Sequence, residues 1–185
     1  MTPELKLDLT PSQTVGPFFH DALLDRDRSG LVGPDHPRAI KIVGVVYDGA
    51  GDPVSDAMLE LWQPDAAGRS RPDDDFSGFG RSGTDARGRF SFVTIKPGPV
   101  SGLDGTPQAP HANVSVFARG LLKCLVTRVY FPDEGEANAE DPMLSSIEDA
   151  GLRETLVARD EGGGSYRFDV RLQGEGQTAF FELAG

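Results

Sequence analysis

The chain has 185 residues, of which 38% are hydrophobic and 25% are charged, a composition typical of one globular domain with a substantial buried core. Asp and Glu number 29 against 18 Lys and Arg, so the net charge is −11, which argues against a nucleic-acid partner and against docking on an anionic membrane. A single cysteine, Cys124, excludes an internal disulfide framework, a cysteine-based zinc site and an iron–sulfur cluster.

Residues 1–39 show no sustained helical or strand period and are rich in proline. We expect them to form an N-terminal arm that packs on a partner chain, the alternative being a tail bound to the surface of its own domain. No cationic stretch followed by an apolar run is visible at the start, and no segment is apolar enough to span a membrane. With one cysteine, this predicts a cytoplasmic protein.

The remaining residues, 40–185, are expected to form one β-sandwich, because short alternating or β-branched runs are separated by Gly and Pro turns. A hairpin turn is predicted at 84–88, a long polar loop over 64–88, and a second loop over 99–110. Asp141 followed by Pro142 predicts the start of a helical stretch over 141–158, divided near Gly151. The predicted strands are 40–47, 57–62, 89–95, 112–118, 121–131, 166–172 and 177–183.

The predicted fold class is therefore all-β: an antiparallel or mixed β-sandwich with long loops, an N-terminal arm and one or two short helices. The predicted strand 121–131 is apolar on both faces, as for a central strand, and would hold Cys124 as a packed thiol.

Residue spacing alone identifies no catalytic site. The three histidines, His20, His36 and His111, form no metal-binding pair on one element, and each is more simply structural. No serine lies in a nucleophile elbow, and no glycine-rich stretch carries the Lys of a phosphate loop. The acidic run 73–75 lacks the spacing of a calcium loop, which favours a solvated loop.

Several segments in order do resemble one family. They are TPSQTVGPFF (10–19), VVYDGAGDPVSDAMLELWQPDAAGR (45–69), FVTIKPG (92–98), APHANVSVFARGL (109–121), TRVYFPDE (127–134) and YRFDVRLQGEGQTAFFEL (166–183). Together they are similar to intradiol ring-cleavage dioxygenases, whose fold is a β-sandwich. A transthyretin-like binding or structural module is the alternative, but it would explain residues 45–95 alone.

The resemblance implies an oxidoreductase of aromatic-acid catabolism whose catalytic chain holds ferric iron with two tyrosines and two histidines. At the matching positions this chain has Ser70, Val100, His111 and Asn113, so one ligand of four is kept. Tyr47, Tyr130 and Tyr166 lie in predicted strands, where packing with an outward hydroxyl is the simpler interpretation. We expect no metal and no catalytic residue in this chain, and regard a self-sufficient dioxygenase with an unusual iron site as disfavoured.

The resemblance further implies a metal-free subunit that works with a beta subunit carrying Fe(3+), on protocatechuate and O2. In such pairs the N-terminal segment of the metal-free chain closes over the partner's iron site. The matching residues are Thr14, Gly16 and Pro17, with Phe18 beside them, and glycine there allows a close backbone approach. Arg128 matches an arginine near the shared pocket that attracts the substrate carboxylate, the alternative being an ion pair with the partner chain.

Overall fold

Two facing β-sheets build the structure, a computed structural model that describes residues 16, 22–33, 35–70, 76–102 and 105–182. The first sheet contains β1 (Ala39–Tyr47), β4 (Arg89–Ile95), β9 (Arg159–Gly162), β10 (Ser165–Arg167) and β11 (Val170–Arg171). The second contains β2 (Met58–Trp62), β3 (Phe79–Gly83), β7 (His111–Phe117) and β8 (Leu125–Tyr130). A small ribbon pairs β5 (Val100–Ser101) with β6 (Pro107–Gln108). Three helices are described in full, α1 (Gly135–Glu140), α2 (Pro142–Ser145) and α3 (Ala150–Glu154), and residues 22–23 are also helical.

The first sheet is mixed and the second is antiparallel. Strand β1 runs antiparallel to β4 along one edge and parallel to β10 and β11 along the other. The second sheet has the order β3-β2-β7-β8, and each neighbouring pair is antiparallel. The predicted all-β class is therefore confirmed, although the described residues contain more helix than the one or two short helices expected: three helices between residues 135 and 154, and helical residues 22–23.

The core lies between the two sheets because alternate residues of each strand point inward. Each large apolar side chain removed from water there stabilises the fold by about 1.5–3 kcal/mol. Gly44 of β1 permits the tightest approach, since a Cβ at that position would lie 1.9 Å from the Phe168 carbonyl oxygen. The inward-facing residues with 5% exposure or less include Ile42, Val46, Leu59, Leu61, Phe90, Phe92, Val114, Val116 and Val129.

Most predicted strands are present with nearly the expected bounds. The runs predicted at 40–47, 57–62, 89–95 and 112–118 correspond to β1, β2, β4 and β7. The predicted hairpin turn is also present, because Asp85 accepts hydrogen bonds from the backbone N–H groups of Arg87 and Arg89 at 2.8 and 3.0 Å. Gly88 completes the turn with a φ of 70°, a conformation that favours glycine.

The strand predicted at 166–172 is split into β10 and β11. Phe168 still donates its backbone N–H to Val43 at 2.8 Å. At the next position the side chain of Asp169 accepts the N–H of Val45 at 3.0 Å and so takes the place of a backbone carbonyl. A side chain that competes for a backbone donor interrupts the ladder.

Two further strand predictions need correction. The strand predicted from residue 121 begins at Leu125, because 122–123 form a bend with Leu122 exposed; Cys124 therefore lies before β8, half-buried, and not mid-strand. Within the described part of 177–183 there is no strand beyond a bridge between Phe181 and Val126. There the Ala179 backbone bonds to the hydroxyls of Thr127 and Thr155 instead.

The predicted loop 64–88 contains a strand that the sequence pattern did not reveal. Strand β3 reads Phe-Gly-Arg-Ser-Gly and has no apolar alternation. It pairs with β2 along its whole length, and Arg81 adds a salt bridge to Glu60 of β2 whose two side chains are 14% and 16% exposed. The acidic run 73–75 within the same loop lies outside the described residues.

Residues 28–32 close the open side of the sandwich. Arg28 accepts the backbone N–H of Arg81 in β3 at 2.8 Å, and Leu31 donates to the carbonyl of Val93 in β4 at 2.8 Å. Leu31 and Val32 are also buried in the main core. This part of the segment predicted as an arm thus joins the exposed edges of both sheets, while the proposed boundary at residue 39 stays a prediction.

Asp141 organises the helical region. As predicted, it caps a helix whose first residue is Pro142. Its Oδ1 accepts the backbone N–H groups of Met143 and Leu144 at 2.9 and 3.0 Å, and the Tyr130 hydroxyl at 3.1 Å. Its Oδ2 accepts the N–H of Ala109 at 2.8 Å, and the residue is fully buried. No helix among the described residues has the length and apolar character needed to cross a membrane.

We expect Asp141→Ala to lower the free energy of unfolding by about 3 kcal/mol or more, since several buried donors lose their acceptor at once. Asp149→Ala is the matched control: Asp149 caps α3 from an exposed position through one bond, to Leu152, and its loss costs about 1 kcal/mol. Chemical denaturation of both variants measures the difference. Equal losses would show that the buried network around Asp141 adds nothing to an ordinary cap.

Candidate active-site cavity

A cavity of about 380 Å³ opens where β2 ends, beside β5 and the start of β7. The four positions at which the family pattern has metal ligands, residues 70, 100, 111 and 113, all line it although they are distant in the chain. Trp62, which is 50% exposed, lies at its edge. The lining includes Trp62, Ser70, Phe76, Val100, His111 and Asn113.

Two loops pack backbone against backbone to bring Ser70 and Val100 to this cavity. Asp65 holds the first loop, because its carboxylate accepts the N–H groups of Ala67 and Arg69 at 2.8 and 2.9 Å. Gly98 lies against that loop so closely that a Cβ would come within 2.5 Å of a backbone oxygen. The Lys-Pro-Gly-Pro turn therefore needs glycine at this contact.

His111 is the one family ligand type kept in the cavity. The side chain is buried, and its Nδ1 donates to the Ala109 carbonyl oxygen at 2.7 Å. In the neutral ring Nε2 then carries the lone pair. Burial is the main reason that the pKa of His111 is lowered to about 4, and the nearby charge of Arg128 acts in the same direction. His111 is accordingly a neutral imidazole at physiological pH.

Strand register aligns four side chains in a row across the outer face of the second sheet. Trp62 lies opposite Phe79 on one side and opposite Asn113 on the other, and Asn113 lies opposite Arg128. The rings of Trp62 and Phe79 are 4.3 Å apart between centroids. Directly opposed residues of antiparallel strands have Cβ atoms about 5 Å apart, so aromatic and cationic groups flank Asn113.

Arg128 is half-buried and held by three neutral groups. Its Nε donates to Asn113 Oδ1 at 3.1 Å, and its Nη1 donates to Gln108 Oε1 at 3.0 Å. The same Nη1 lies 3.2 Å from the Tyr130 hydroxyl, which in turn donates to Asp141. Arg128 contacts the cavity through Asn113, which lines it.

Comparison with known proteins identifies the family. A family model described as Dioxygenase matches residues 15–174. The alpha chain of protocatechuate 3,4-dioxygenase from Pseudomonas putida is 45% identical over 94% of this chain and 96% of its own length. The alpha chain from Burkholderia cepacia is 47% identical, over 96% and 98%. This chain belongs to the intradiol ring-cleavage dioxygenase family. The Burkholderia cepacia beta chain of the same enzyme is 33% identical over 90% of this chain and 77% of the beta chain.

Solved structures agree with this membership. The dioxygenase domain of a carbohydrate-binding protein fusion from Streptomyces sp. SirexAA-E has a TM-score of 0.59 at 28% identity, over 83% of this chain and 89% of that one. Hydroxyquinol 1,2-dioxygenase from Pseudomonas putida DLL-E4 shares the fold, with a TM-score of 0.58 at 23% identity over 79% and 60%. The family match extends far beyond residues 45–95, so the transthyretin-like alternative has no support.

The donors in the cavity of this dioxygenase-family chain do not fit a ferric ion. The four family positions supply one imidazole, one hydroxyl, one amide and an apolar Val100. Hard ferric iron favours anionic oxygen donors together with imidazole. In the described part of the chain, no group of three His, Cys, Asp or Glu side chains is placed to hold a metal. No step of the reaction is therefore assigned to a metal in this chain.

The predicted wall residues are only partly visible. Thr14 and Pro17, like Phe18 and His20, lie outside the described residues. Gly16 is exposed, and a Cβ built on it would have no atom within 4 Å. The structure brings Arg128 close to the cavity, while the position of Gly16 relative to any partner stays a prediction.

Sequence reasoning missed the partners of Arg128 and misjudged one tyrosine. Tyr130 was expected to point its hydroxyl outward, but it is fully buried and its hydroxyl donates to Asp141. Burial raises the pKa of Tyr130, so it stays a neutral phenol. Asn113 stands at a lost ligand position and Gln108 falls in a predicted loop, so the sequence gives neither a role as a partner of Arg128. A turn centred near Gly120 is the sequence signal that would have placed Asn113 opposite Arg128.

The lowered pKa of His111 makes stability fall in acid. Between pH 6.5, the ordinary value, and pH 4 the unfolded chain binds a proton that the folded chain does not. The free energy of unfolding therefore decreases as pH drops through this window, by up to about 3 kcal/mol. His111→Gln removes this contribution, and carboxylates act equally in both proteins. Denaturation of both proteins at pH 7 and pH 5 measures this contribution as the change in the difference between their free energies of unfolding. That difference is expected to stay constant from pH 7 to 8. Identical slopes below pH 6.5 would contradict the assignment.

Proposed function

We propose that this chain is the alpha chain of a protocatechuate 3,4-dioxygenase and acts with an iron-bearing beta chain. The observation that carries the proposal is the cavity. All four positions at which the family has metal ligands line it, but only one of them, His111, still carries a ligand side chain. The similarity to two alpha chains over nearly the whole length supports the same role.

The reaction opens the ring of protocatechuate between its two hydroxyl-bearing carbons. Both atoms of O2 enter the product, 3-carboxy-cis,cis-muconate, so no further reductant is consumed. The ferric ion of the beta chain supplies the activation of the catechol when it is bound there. This chain contributes groups that enclose and orient the substrate, and it holds no iron of its own.

The arm is proposed to supply part of the wall. Within residues 1–39, the part before Arg28 would pack on the beta chain, with Thr14, Gly16 and Pro17 against its iron site, whereas residues 28–32 pack with the sandwich of residues 40–185. The bonds of residues 28–32 to both sheet edges fix the point at which the preceding part of the arm leaves the sandwich. A glycine with open space around its Cβ position suits a close approach by a second molecule.

Arg128 is proposed to attract the carboxylate of protocatechuate. Because the whole chain carries a net charge of −11, this attraction must be local rather than general. No described carboxylate forms an ion pair with Arg128, which leaves its charge available. An ion pair with the beta chain is the alternative use of the same charge.

A cytoplasmic location agrees with the single, unpaired cysteine.

Co-expression with the beta chain of the same organism tests the proposal. We expect a stable complex that contains iron and consumes O2 with protocatechuate, whereas this chain purified alone shows neither. Iron analysis and an oxygen electrode give both readouts. Stoichiometric iron in the isolated chain, or an active beta chain that gains nothing from this one, would overturn the proposal.

Gly16→Val tests the wall directly. Because nothing in the described chain surrounds that position, the variant is expected to keep its stability and its iron-bearing partner. Its kcat/KM for protocatechuate should fall by about tenfold or more, since displacement of the wall misplaces the substrate. Gly33→Val is the matched control, because Gly33 is also exposed with no atom within 4 Å of its Cβ position. Equal activities of the two variants would place Gly16 away from the substrate.

A further inference from the structure

We propose that Asn113, Gln108 and Tyr130 are positioning residues that aim Arg128 at the substrate carboxylate and thereby set the preference for carboxylated catechols. The inference rests on the proposed function, because it requires Arg128 to face substrate in the complex. It adds a role for the position where the family pattern has a metal-binding histidine: in this chain residue 113 binds a guanidinium.

The contacts fix the guanidinium from two strands and the small ribbon. Asn113 lies directly opposite Arg128 in the β7–β8 ladder and accepts from Nε at 3.1 Å. Gln108, in β6, accepts from Nη1 at 3.0 Å. Tyr130, two residues along β8 on the same face, lies 3.2 Å from Nη1. Nη2 has no hydrogen-bond partner among the described residues and is the nitrogen left for a ligand.

All three partners are neutral, which is the feature that points to an anionic ligand. Arg81 on the same sheet face shows the opposite arrangement, since Glu60 binds it with two bonds and cancels its charge. Arg128 is also held in place, but no described carboxylate pairs with it directly, and Asp141 is linked to it only through the Tyr130 hydroxyl. An arginine ordered by neutral acceptors binds a carboxylate without first breaking an ion pair.

The partners are themselves fixed. Tyr130 is fully buried, and its hydroxyl donates to Asp141, which also anchors Ala109 two residues before His111. Asn113 is held in a strand paired on both sides, by β2 and by β8. Such support restricts the guanidinium before any ligand arrives, so little ordering is left to occur on binding.

The test uses the complex with the beta chain and compares protocatechuate with catechol, which lacks the carboxylate. Asn113→Asp converts a neutral acceptor into one that pairs with Arg128 and neutralises it. We expect KM for protocatechuate to rise about tenfold or more, with kcat for protocatechuate and kcat/KM for catechol changed less than about twofold. Iron content should be unchanged. Gln177→Glu is the matched control, because it makes the same amide-to-acid change at an exposed position.

The variant Arg128→Gln distinguishes a failure of the positioning role from a failure of the proposed role of Arg128 itself. The measurement is again the preference for protocatechuate over catechol. If that variant keeps the preference for protocatechuate over catechol, Arg128 does not contact the carboxylate, and the proposed role of Arg128 fails with the inference. If Arg128→Gln loses the preference while Asn113→Asp keeps it, the positioning role alone is overturned. Equal losses for both substrates in Asn113→Asp would indicate a merely structural effect and also overturn it.

Gln108→Glu keeps the test decisive if Asn113→Asp does not assemble. Gln108 is half-buried in the two-stranded ribbon outside both main sheets, so its substitution leaves the β7–β8 pairing intact. The same rise in KM for protocatechuate alone is expected. An unchanged KM in an assembled Gln108→Glu complex would count against the inference.

Discussion

The buried carboxylate of Asp141 accepts hydrogen bonds from three parts of the chain that carry the candidate site. It holds the N–H of Ala109, whose carbonyl accepts the His111 ring; it holds the Tyr130 hydroxyl, which contacts Arg128; and it begins helix α2. Because a buried carboxylate is tolerated only when its acceptors are filled, these three parts cannot move independently. The cavity residue His111 and the guanidinium of Arg128 are thus connected by one hydrogen-bonded network that passes through Asp141.

Strands whose apolar residues alternate were predictable, because burial on one face imposes a period of two that local sequence displays. Strand β3 was not, because it is specified by partners: Arg81 pairs with Glu60, which lies far from it in sequence. The interruption at Asp169 was equally hidden, since a strand pattern does not reveal that a side chain will accept the N–H of Val45. Apolar alternation in the sequence therefore predicts which residues are buried, but it does not predict which polar side chains pair with each other or with the backbone.

The same division applies to the site. The family pattern located residues 70, 100, 111 and 113, and the structure brings them around one cavity. The contacts of Arg128 depend on the register of β7 against β8, which is set by a turn whose length the alternation does not define. Tyr130 was misjudged for a related reason: its hydroxyl is satisfied inside the protein by Asp141, a residue beyond the strand itself.

The anchoring of residues 28–31 to β3 and β4 also acts as a tether. The stretch from Gly16 to Arg28 spans at most about 40 Å when fully extended, so every surface that Gly16 reaches lies within that radius of the sheet edges. Within this sphere the arm is present at a high effective concentration, which depends on tether length rather than on protein concentration. Lengthening the tether would widen the reach of the arm and dilute it at any one surface.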